Sequence, residues 1–142
     1  MDTVTVRYQI IHPLAKVPAK ATNGSACLDV SSIEDVEIPD QLTVPVRTGL
    51  KMRVQEGYLI SILPRSGLAK RGISISNSPG TIDSDFTNEV LILMYNHSGM
   101  NYNIRVHDRI AQMMVIPTPY IRFVESSNLG SSMHRGFEST GR

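Results

Sequence analysis

Short apolar runs separated by glycine, proline, asparagine and serine recur along almost the whole chain. Runs of β-branched residues, or runs that alternate with period two, indicate strands, and the turn residues between them are where a chain reverses. The predicted strands span residues 4–11, 28–38, 42–54, 58–63, 73–76, 89–95, 102–106, 110–116 and 120–124. The run 42–54 is expected to be interrupted near Pro45 and Gly49. Eight prolines and ten glycines leave room only for a short helix, over residues 66–71. The spacing predicts an all-β jelly-roll-like sandwich or barrel.

Composition narrows the classes of partner. The chain has 142 residues, enough for one domain with a buried core. Its 14 basic and 13 acidic side chains give a net charge of +1, so no overall field favours nucleic acid or a membrane surface. The longest apolar run, residues 90–95, is too short to span a bilayer.

Cysteine usage and the N-terminal residues bear on the compartment. A single cysteine, Cys27, excludes an intrachain disulfide framework and fits a reducing compartment. The first residues lack the basic and apolar regions of a secretory signal. The cytoplasm is therefore expected, that of the host cell if a virus or phage encodes the chain.

Residues 80–86 carry two aspartates between a glycine and a phenylalanine. If this segment is extended, Asp83 and Asp85 point to one face and Phe86 to the other. An apolar run follows at residues 89–95, so the segment is predicted to be a hairpin joined to the core. A carboxylate on a rigid strand end can activate water. An Asp-rich surface turn is the alternative.

Residues 64–69 end an apolar strand and begin the predicted short helix. Free backbone N–H groups at a helix start, beside Arg65 and Ser66, suit an anion. The segment lacks the lysine and the spacing of a Walker phosphate loop. The alternative is an N-capped helix with a solvent-exposed arginine.

Two polar residues interrupt apolar strands: Asp29 follows Leu28, and Gln112 lies within the run 110–116. Buried polar side chains need partners, so both are candidate site residues, although each has a structural explanation alone. Asp108 and Arg109 can form a turn ion pair. The four histidines show no metal-ligand spacing, and one cysteine gives no support for a zinc site.

The C-terminal residues differ in character from the rest. A polar stretch begins at residue 125 and is followed by an aromatic residue among arginines and hydroxyls. The chain is predicted to divide into a jelly-roll core, residues 1–124, and a flexible arm, residues 125–142. An arm of this composition can stack on a base and bind phosphate, or it can simply be disordered.

Taken in order, these segments resemble the five motifs of the trimeric dUTP pyrophosphatases, the dUTPases. The matching segments are residues 26–30, 64–69, Asn77 with 80–90, 107–112 and 135–141. The resemblance implies a jelly-roll subunit that works as a homotrimer with shared active sites. It implies hydrolysis of dUTP to dUMP and pyrophosphate with Mg²⁺, which lowers dUTP and supplies dUMP for thymidylate synthesis.

The resemblance also assigns roles by position. Asp83 is the general base that deprotonates the water attacking the α-phosphorus, and Phe86 packs on the deoxyribose. Asp29 reaches the metal through water. The predicted phosphate ligands, the first three from a different subunit than Asp83, are Arg65, Ser66, Gly67 and Gln112. The predicted uracil-reading groups are the side chain of Asn77 and the backbones of Thr81, Ile82 and Leu91.

The arm, predicted to come from the third subunit, completes the implied site. Phe137 closes over the uracil, and Arg135, Ser139 and Thr140 bind the phosphates. This fifth motif is shorter than the family pattern between its arginine and its aromatic residue. Glu138 stands at a position where the family usually has glycine.

Other departures concern single residues. Phe86 stands where tyrosine is usual, which keeps the ring face. Asn88, Cys27 and His107 stand where the family has glycine; asparagine and histidine tolerate the positive φ that glycine adopts in turns.

Two alternatives remain open at the sequence level. The dCTP deaminases share the fold and the second motif, but their catalytic glutamate corresponds here to Leu93. A nucleotide-binding regulator that has lost turnover is the other alternative, although the retained Asp83 argues against it.

Overall fold

The computed structural model describes residues 3–133, which contain eleven strands and one short helix joined by turns and loops. The strands are β1 (Val6–Ile10), β2 (Leu28–Ser31), β3 (Val36–Ile38), β4 (Thr43–Arg47), β5 (Leu50–Val54), β6 (Tyr58–Leu63), β7 (Ile73–Ile75), β8 (Gly80–Ile82), β9 (Leu91–Asn96), β10 (Tyr102–Ile104) and β11 (Arg109–Pro117). The helix, α1 (Ser66–Lys70), lies where a short helix was predicted. No helix within this part of the chain is long and apolar enough to cross a membrane.

Two principal sheets face each other across the core. One has the strand order β2-β11-β6-β8 and the other β4-β9-β7, while β1-β5 and β3-β10 form two-stranded ladders. Both principal sheets contribute fully buried aliphatic side chains to one cluster, among them Val30, Ile60, Val46 and Ile92. This architecture confirms the predicted all-β sandwich.

Two long predicted strands are each divided in two. The run 28–38 breaks at Ser32, whose buried hydroxyl bonds both the N–H and the carbonyl of Glu34 at 2.9 Å. The run 42–54 breaks at Gly49, which has a φ of +69° and leaves no room for a side chain: a Cβ there would lie 3.0 Å from the Cβ atoms of His12 and Ala15. The expected interruption at Pro45 is wrong. Proline is tolerated because β4 is an edge strand.

The predicted strand over residues 120–124 is wrong. Strand β11 ends at Pro117, and the amide of Thr118 still donates to the Gly57 carbonyl at 2.8 Å. Beyond it, Tyr120 and Phe123 are more than nine-tenths exposed, and the segment pairs with no strand among residues 3–133. Apolar composition cannot make a strand without a partner for its backbone groups.

The predicted hairpin over residues 80–95 is also wrong. Strand β8 pairs with β6, whereas β9 pairs with β4 and β7, so the intervening loop crosses from one sheet to the other. Residues 83–86 form a turn in which the Phe86 amide donates to the Asp83 carbonyl at 3.2 Å. Asp83 and Asp85 are therefore not on one extended strand, and the expectation that they point to the same face for that reason is wrong. Asn88 does not adopt a positive φ.

Candidate active site

A row of paired residues across three strands brings distant polar groups together. Asp29 on β2 is the cross-strand partner of Gln112 on β11, and Gln112 is also paired with Leu63 at the end of β6. Paired residues project their side chains from the same face of the sheet. Strand β6 continues directly into Arg65 and α1, so the first, second and fourth predicted motifs meet at one place.

Ion pairs and hydrogen bonds fix this cluster. Oδ1 of Asp29 lies 3.2 Å from Nε of Arg65, and its Oδ2 lies 3.5 Å from Nη1 of Arg109. Arg65 Nη1 also donates to the Arg109 carbonyl at 3.1 Å, and Gln112 Nε2 donates to the Pro64 carbonyl at 2.9 Å. Arg65 is thus held in place with 28% of its side chain exposed. The alternative of a solvent-exposed arginine on an N-capped helix is wrong, because α1 has no side-chain cap. Arg109 pairs with Asp29 rather than with Asp108.

A cleft of about 350 Å³ opens beside this cluster, and we call it the Arg65 cleft. Its lining residues are Ala21, Ser25, Ala26, Cys27, Asp29, Arg65, Ser66, Gly67 and Gln112. The first N–H groups of a helix have no partner within the helix, and those of α1 lie in this wall. A Cβ on Gly67 would meet no atom within 4 Å, so the backbone is accessible there. Accessible N–H groups beside an immobilised guanidinium suit an anion.

His107 confirms one expectation about the fourth motif. It has a φ of +71°, the conformation expected where related chains carry glycine. Its backbone amide donates to the Ser32 carbonyl at 2.8 Å, and its Nε2 lies 2.9 Å from the Leu14 carbonyl oxygen. These contacts tie the turn before β11 to the rest of the subunit.

A second cleft, also of about 350 Å³, lies between β8 and β9, and we call it the β8–β9 cleft. Its lining residues are Ile62, Ile75, Asn77, Gly80, Thr81, Ile82, Phe86, Asn88, Glu89, Val90, Leu91, Ile92 and Leu93. All the predicted base-reading residues and Phe86 are therefore in one cleft. A volume near the lower end of the range for small-molecule sites suits a nucleoside-sized ligand.

Backbone groups are available on both sides of this cleft. Strand β8 is at the edge of its sheet, so one side of its backbone has no strand partner among the described residues. On β9, pairing with β7 begins only at Met94, so within the described part of the chain Leu91 is paired with β4 alone. Gly80 allows close packing at the cleft floor, since a Cβ there would lie 3.3 Å from Ile62 and 3.5 Å from Asn77. The cleft can therefore recognise a planar polar edge through the main chain.

The turn between β4 and β5 holds the β9 wall of this cleft, a feature that the sequence did not reveal. Arg47 donates Nε and Nη2 to the Glu89 carboxylate at 3.1–3.2 Å, and Gly49 donates its N–H at 3.0 Å. Buried Thr48 donates to the Val90 carbonyl at 2.6 Å. We call Arg47, Thr48, Gly49 and Leu50 the β4–β5 clamp. The partners are about 40 residues apart, so only an isolated Glu before an apolar run signals it.

The Arg47–Glu89 pair shifts the acidity of both groups. Burial alone would raise the pKa of Glu89, but the hydrogen bonds from Arg47 and Gly49 and the Arg47 charge outweigh it, so the pKa lies below its ordinary value. The hydrogen bond to Glu89 and its charge raise the pKa of Arg47. Both residues are therefore charged at neutral pH.

Asp83 lies just beyond β8, at the start of the turn 83–86. Its side chain is exposed, and its carboxylate contacts no donor or cation among residues 3–133. Asp85 instead lines a separate opening beside Arg7 and Arg53. Asp83 is not among the described lining residues of that opening.

The two clefts share none of the lining residues that the structure describes. Gln112 is level with Leu63, whereas Ile82, the neighbour of Asp83, is level with Ile60. Asp83 is one residue beyond Ile82, so it is offset from Gln112 by four residues in the strand direction and by the two strand spacings between β11 and β8. Ideal strand geometry puts the two Cα atoms about 16 Å apart. Asp83 and the Arg65 cleft therefore lie apart within the chain.

The predicted arm residues and the predicted metal contact are not tested by the described structure. Arg135, Phe137, Ser139 and Thr140 lie outside the described residues. Within residues 3–133, no group of three or more His, Cys, Asp or Glu side chains could hold a metal ion. The predicted metal contact of Asp29 remains a prediction. Its two oxygens are paired with Arg65 and Arg109.

Comparison with known proteins places the chain in a family. The dUTPase family model matches residues 14–141. The deoxyuridine 5'-triphosphate nucleotidohydrolase of Wolinella succinogenes is 38% identical, covering 100% of this chain and 97% of that protein. The protein of the same name from Zymomonas mobilis is 42% identical, covering 87% of each.

Solved structures agree on the fold. A Staphylococcus bacteriophage 80alpha dUTPase with dUPNHPP superposes with a TM-score of 0.83 at 22% identity, covering 97% of this chain and 99% of that one. A mutant dUTPase from phage phi11 of S. aureus, described with a structural Mg(II) ion, gives a TM-score of 0.81 at 19% identity, covering 89% and 99%. The family match, the curated relatives and the shared all-β fold lead to one conclusion: the chain belongs to the dUTPase family.

Proposed function

We propose that this chain is a dUTP diphosphatase that hydrolyses dUTP to dUMP and pyrophosphate. The observation that carries the proposal is the pair of clefts: a nucleoside-sized cleft with accessible backbone groups and a cleft with an immobilised arginine. Their residues match the family motifs in order. Relatives named deoxyuridine 5'-triphosphate nucleotidohydrolase, and a structural neighbour described with dUPNHPP, support this substrate.

Asp83 is the proposed general base. Its exposed carboxylate has no partner within residues 3–133, so it is free to accept a proton from water. The turn that fixes its backbone gives the rigidity that in-line attack on the α-phosphorus requires. In this step the water oxygen bonds to the α-phosphorus, its proton passes to Asp83, and the bond to the bridging oxygen of pyrophosphate breaks.

The β8–β9 cleft is the proposed nucleoside site. Asn77 and the backbones of Thr81, Ile82 and Leu91 pair with the uracil edge, and cytosine presents a mismatched donor and acceptor pattern there. Unpaired polar groups in a desolvated site discriminate strongly. The Phe86 ring, partly buried against the core, packs on the deoxyribose and leaves no room for a 2′-hydroxyl.

The Arg65 cleft is the proposed phosphate site. Arg65, Ser66, Gly67 and Gln112 bind phosphate oxygens through the guanidinium, the hydroxyl, the amide N–H and the side-chain amide. The ion pair with Asp29 holds the guanidinium before the substrate arrives, which reduces the entropy lost on binding.

A homotrimer with active sites shared between subunits is the proposed assembly. The separation of about 16 Å between Asp83 and Gln112 within a subunit supports it, because strand spacing puts base and phosphate ligands too far apart in one chain. A neighbouring subunit then supplies the Arg65 cleft opposite Asp83. No nucleic acid or membrane partner is proposed, and the proposed compartment is the cytoplasm.

Mg²⁺ is the proposed cofactor. It binds well to phosphate oxygens and retains waters, so it needs few protein ligands. The described residues fit that mode: Asp29 borders the phosphate site and can reach the ion through water, while its oxygens stay paired with arginines. When bound, the ion neutralises charge on the triphosphate.

The arm, residues 125–142, is proposed to close the site, with Phe137 over the uracil and Arg135, Ser139 and Thr140 on the phosphates. Closure excludes bulk water during the reaction, and opening permits product release. Deleting residues 132–142 is expected to lower kcat while the thermal unfolding midpoint stays near that of the full chain. An unchanged rate would exclude a catalytic part for the arm.

The decisive experiment offers dUTP, dCTP, dTTP and UTP in parallel and follows both pyrophosphate and ammonia release. The proposal predicts pyrophosphate from dUTP far above the other three and no ammonia. Ammonia from dCTP would identify a deaminase. Tight dUTP binding without either product would identify a regulator on the same fold.

A further inference from the structure

The β9 wall of the nucleoside site is held by the β4–β5 clamp rather than by its own sheet alone. Arg47, at the end of β4, is the cross-strand partner of Leu91, whose backbone belongs to the proposed uracil-reading set. At Leu91 the other side of β9 is not paired with β7. The position of Leu91 therefore depends on its β4 partner and on the contacts just before it, at Glu89 and Val90.

Those contacts come almost entirely from the clamp. The Val90 amide donates to the Leu50 carbonyl at 2.8 Å, and the Val90 carbonyl accepts from Thr48 Oγ1 at 2.6 Å. The Glu89 carboxylate accepts hydrogen bonds from Nε and Nη2 of Arg47 and from the Gly49 N–H. A bidentate guanidinium–carboxylate pair fixes direction as well as distance.

Glu89 serves both the clamp and the cleft. It lines the β8–β9 cleft together with Leu91, and 18% of its side chain is exposed. A carboxylate in this position, if left without its donors, would carry a desolvation cost and move toward water. Such movement would shift the start of β9 and with it the backbone groups of Leu91.

We propose that Glu89, held by Arg47 and Gly49, is a positioning residue that sets the nucleobase selectivity of the β8–β9 cleft. The proposal rests on the proposed dUTP diphosphatase function, since it assigns Leu91 to base reading. Glu89 itself does not touch the reacting atoms. It acts by keeping the Leu91 backbone at the distance from β8 at which uracil fits and cytosine does not.

The test compares Glu89→Gln with wild type and with Glu37→Gln. Glutamine keeps the size of Glu89 and one acceptor for Gly49 but loses the charged fork to Arg47. Glu37 is an exposed β3 residue whose carboxylate, among residues 3–133, contacts only Asn101, at 3.4 Å, and it is not among the described lining residues of either cleft. The readouts are kcat/KM for dUTP and dCTP, and calorimetric binding of dUMP and dCMP, which needs no turnover.

We expect Glu89→Gln to lower the dUTP-to-dCTP ratio of kcat/KM about tenfold, mostly through KM, as loss of ground-state alignment does. The dUMP-to-dCMP affinity ratio should fall in parallel, and Glu37→Gln should match wild type. Adding Arg47→Gln to Glu89→Gln should cause little further loss of selectivity, since the two act as a unit.

Equal losses for dUTP and dCTP, with the ratio preserved, would overturn the proposal and leave Glu89 a purely structural role. An unchanged enzyme would overturn it as well. A wild-type chain inactive on dUTP that does not prefer dUMP to dCMP would instead overturn the proposed function, and this inference with it. If Glu89→Gln does not fold, Glu89→Asp, which keeps the charge but shortens the reach, should show the same selectivity loss.

Discussion

Oδ1 of Asp29 accepts a hydrogen bond from Nε of Arg65 at 3.2 Å, although the two residues are 36 positions apart in the sequence. This contact joins the first predicted motif to the second, and Arg109 extends it to the fourth through Oδ2. The residues of the proposed phosphate site are thus joined by contacts within one chain. The Arg65 guanidinium is paired with a carboxylate that has 19% of its side chain exposed, and this ion pair favours one orientation.

Asp29→Asn should raise the KM for dUTP about tenfold, even at saturating Mg²⁺, because a neutral amide holds Arg65 and Arg109 less firmly. Steady-state kinetics over a range of Mg²⁺ concentrations measures this. Arg109→Ala should raise KM similarly, and the double variant should show less than the product of the two effects. A variant defective only at low Mg²⁺ would contradict the anchoring role and leave Asp29 a metal role alone.

Phe86→Ala should raise the relative use of UTP over dUTP, because the ring that excludes the 2′-hydroxyl is gone. A relaxation of about tenfold to a hundredfold in the kcat/KM ratio is expected for loss of one packing surface. Phe86→Tyr keeps the ring and serves as the matched control. If UTP remains as poor a substrate for Phe86→Ala as for wild type, another group selects the sugar.

Strand content was largely predictable, because β-branched runs and turn residues are local signals. The strand predictions fail where the conformation of a segment depends on a second segment that is distant in the sequence. Residues 120–124 have strand-like composition but no partner within the described chain, and residues 83–86 turn because β8 and β9 belong to different sheets. The residues of the site were predicted through family resemblance, but not their contacts.

The contacts depend on register, which no local pattern encodes. Asp29 and Gln112 are polar residues in apolar strands, and their partners are far away in sequence: Gln112 donates to the Pro64 carbonyl, 48 residues away. The Arg47–Glu89 pair, 42 residues apart, was signalled only by an isolated glutamate before an apolar run. Charged residues at strand ends are common, and only the pairing of β4 with β9 brings these two together.

The Arg47–Glu89 pair should make the fold sensitive to acid. The folded-state pKa of Glu89 is lowered, so its contribution is fully present above the ordinary glutamate pKa of about 4.3 and is lost as pH falls through the folded value. Urea unfolding midpoints between neutral pH and pH of about 3 should therefore fall more for wild type than for Glu89→Gln. Glu37→Gln should behave like wild type. Identical pH dependences in all three would rule out this contribution.

Subunit mixing tests the shared site. Asp83→Asn and Arg65→Ala chains each lack one half of the proposed site and should be nearly inactive as separate homotrimers. Co-refolded at equal amounts, they should regain about a quarter of wild-type activity, since a random cyclic trimer pairs intact halves at one site in four. Two affinity tags confirm that mixed trimers form. Mixed trimers without activity would place both halves in one subunit.

The most direct measurement of the central claim is the Asp83→Asn variant, assayed for both dUTP binding and pyrophosphate release. The amide keeps the shape and the turn but cannot accept a proton from water. We predict calorimetric dUTP affinity close to that of wild type, with turnover lower by about 10²–10⁴-fold, the range that general-base catalysis supplies. Normal dUTP hydrolysis by this variant would contradict the assignment of Asp83 as the base and, with it, the proposed mechanism.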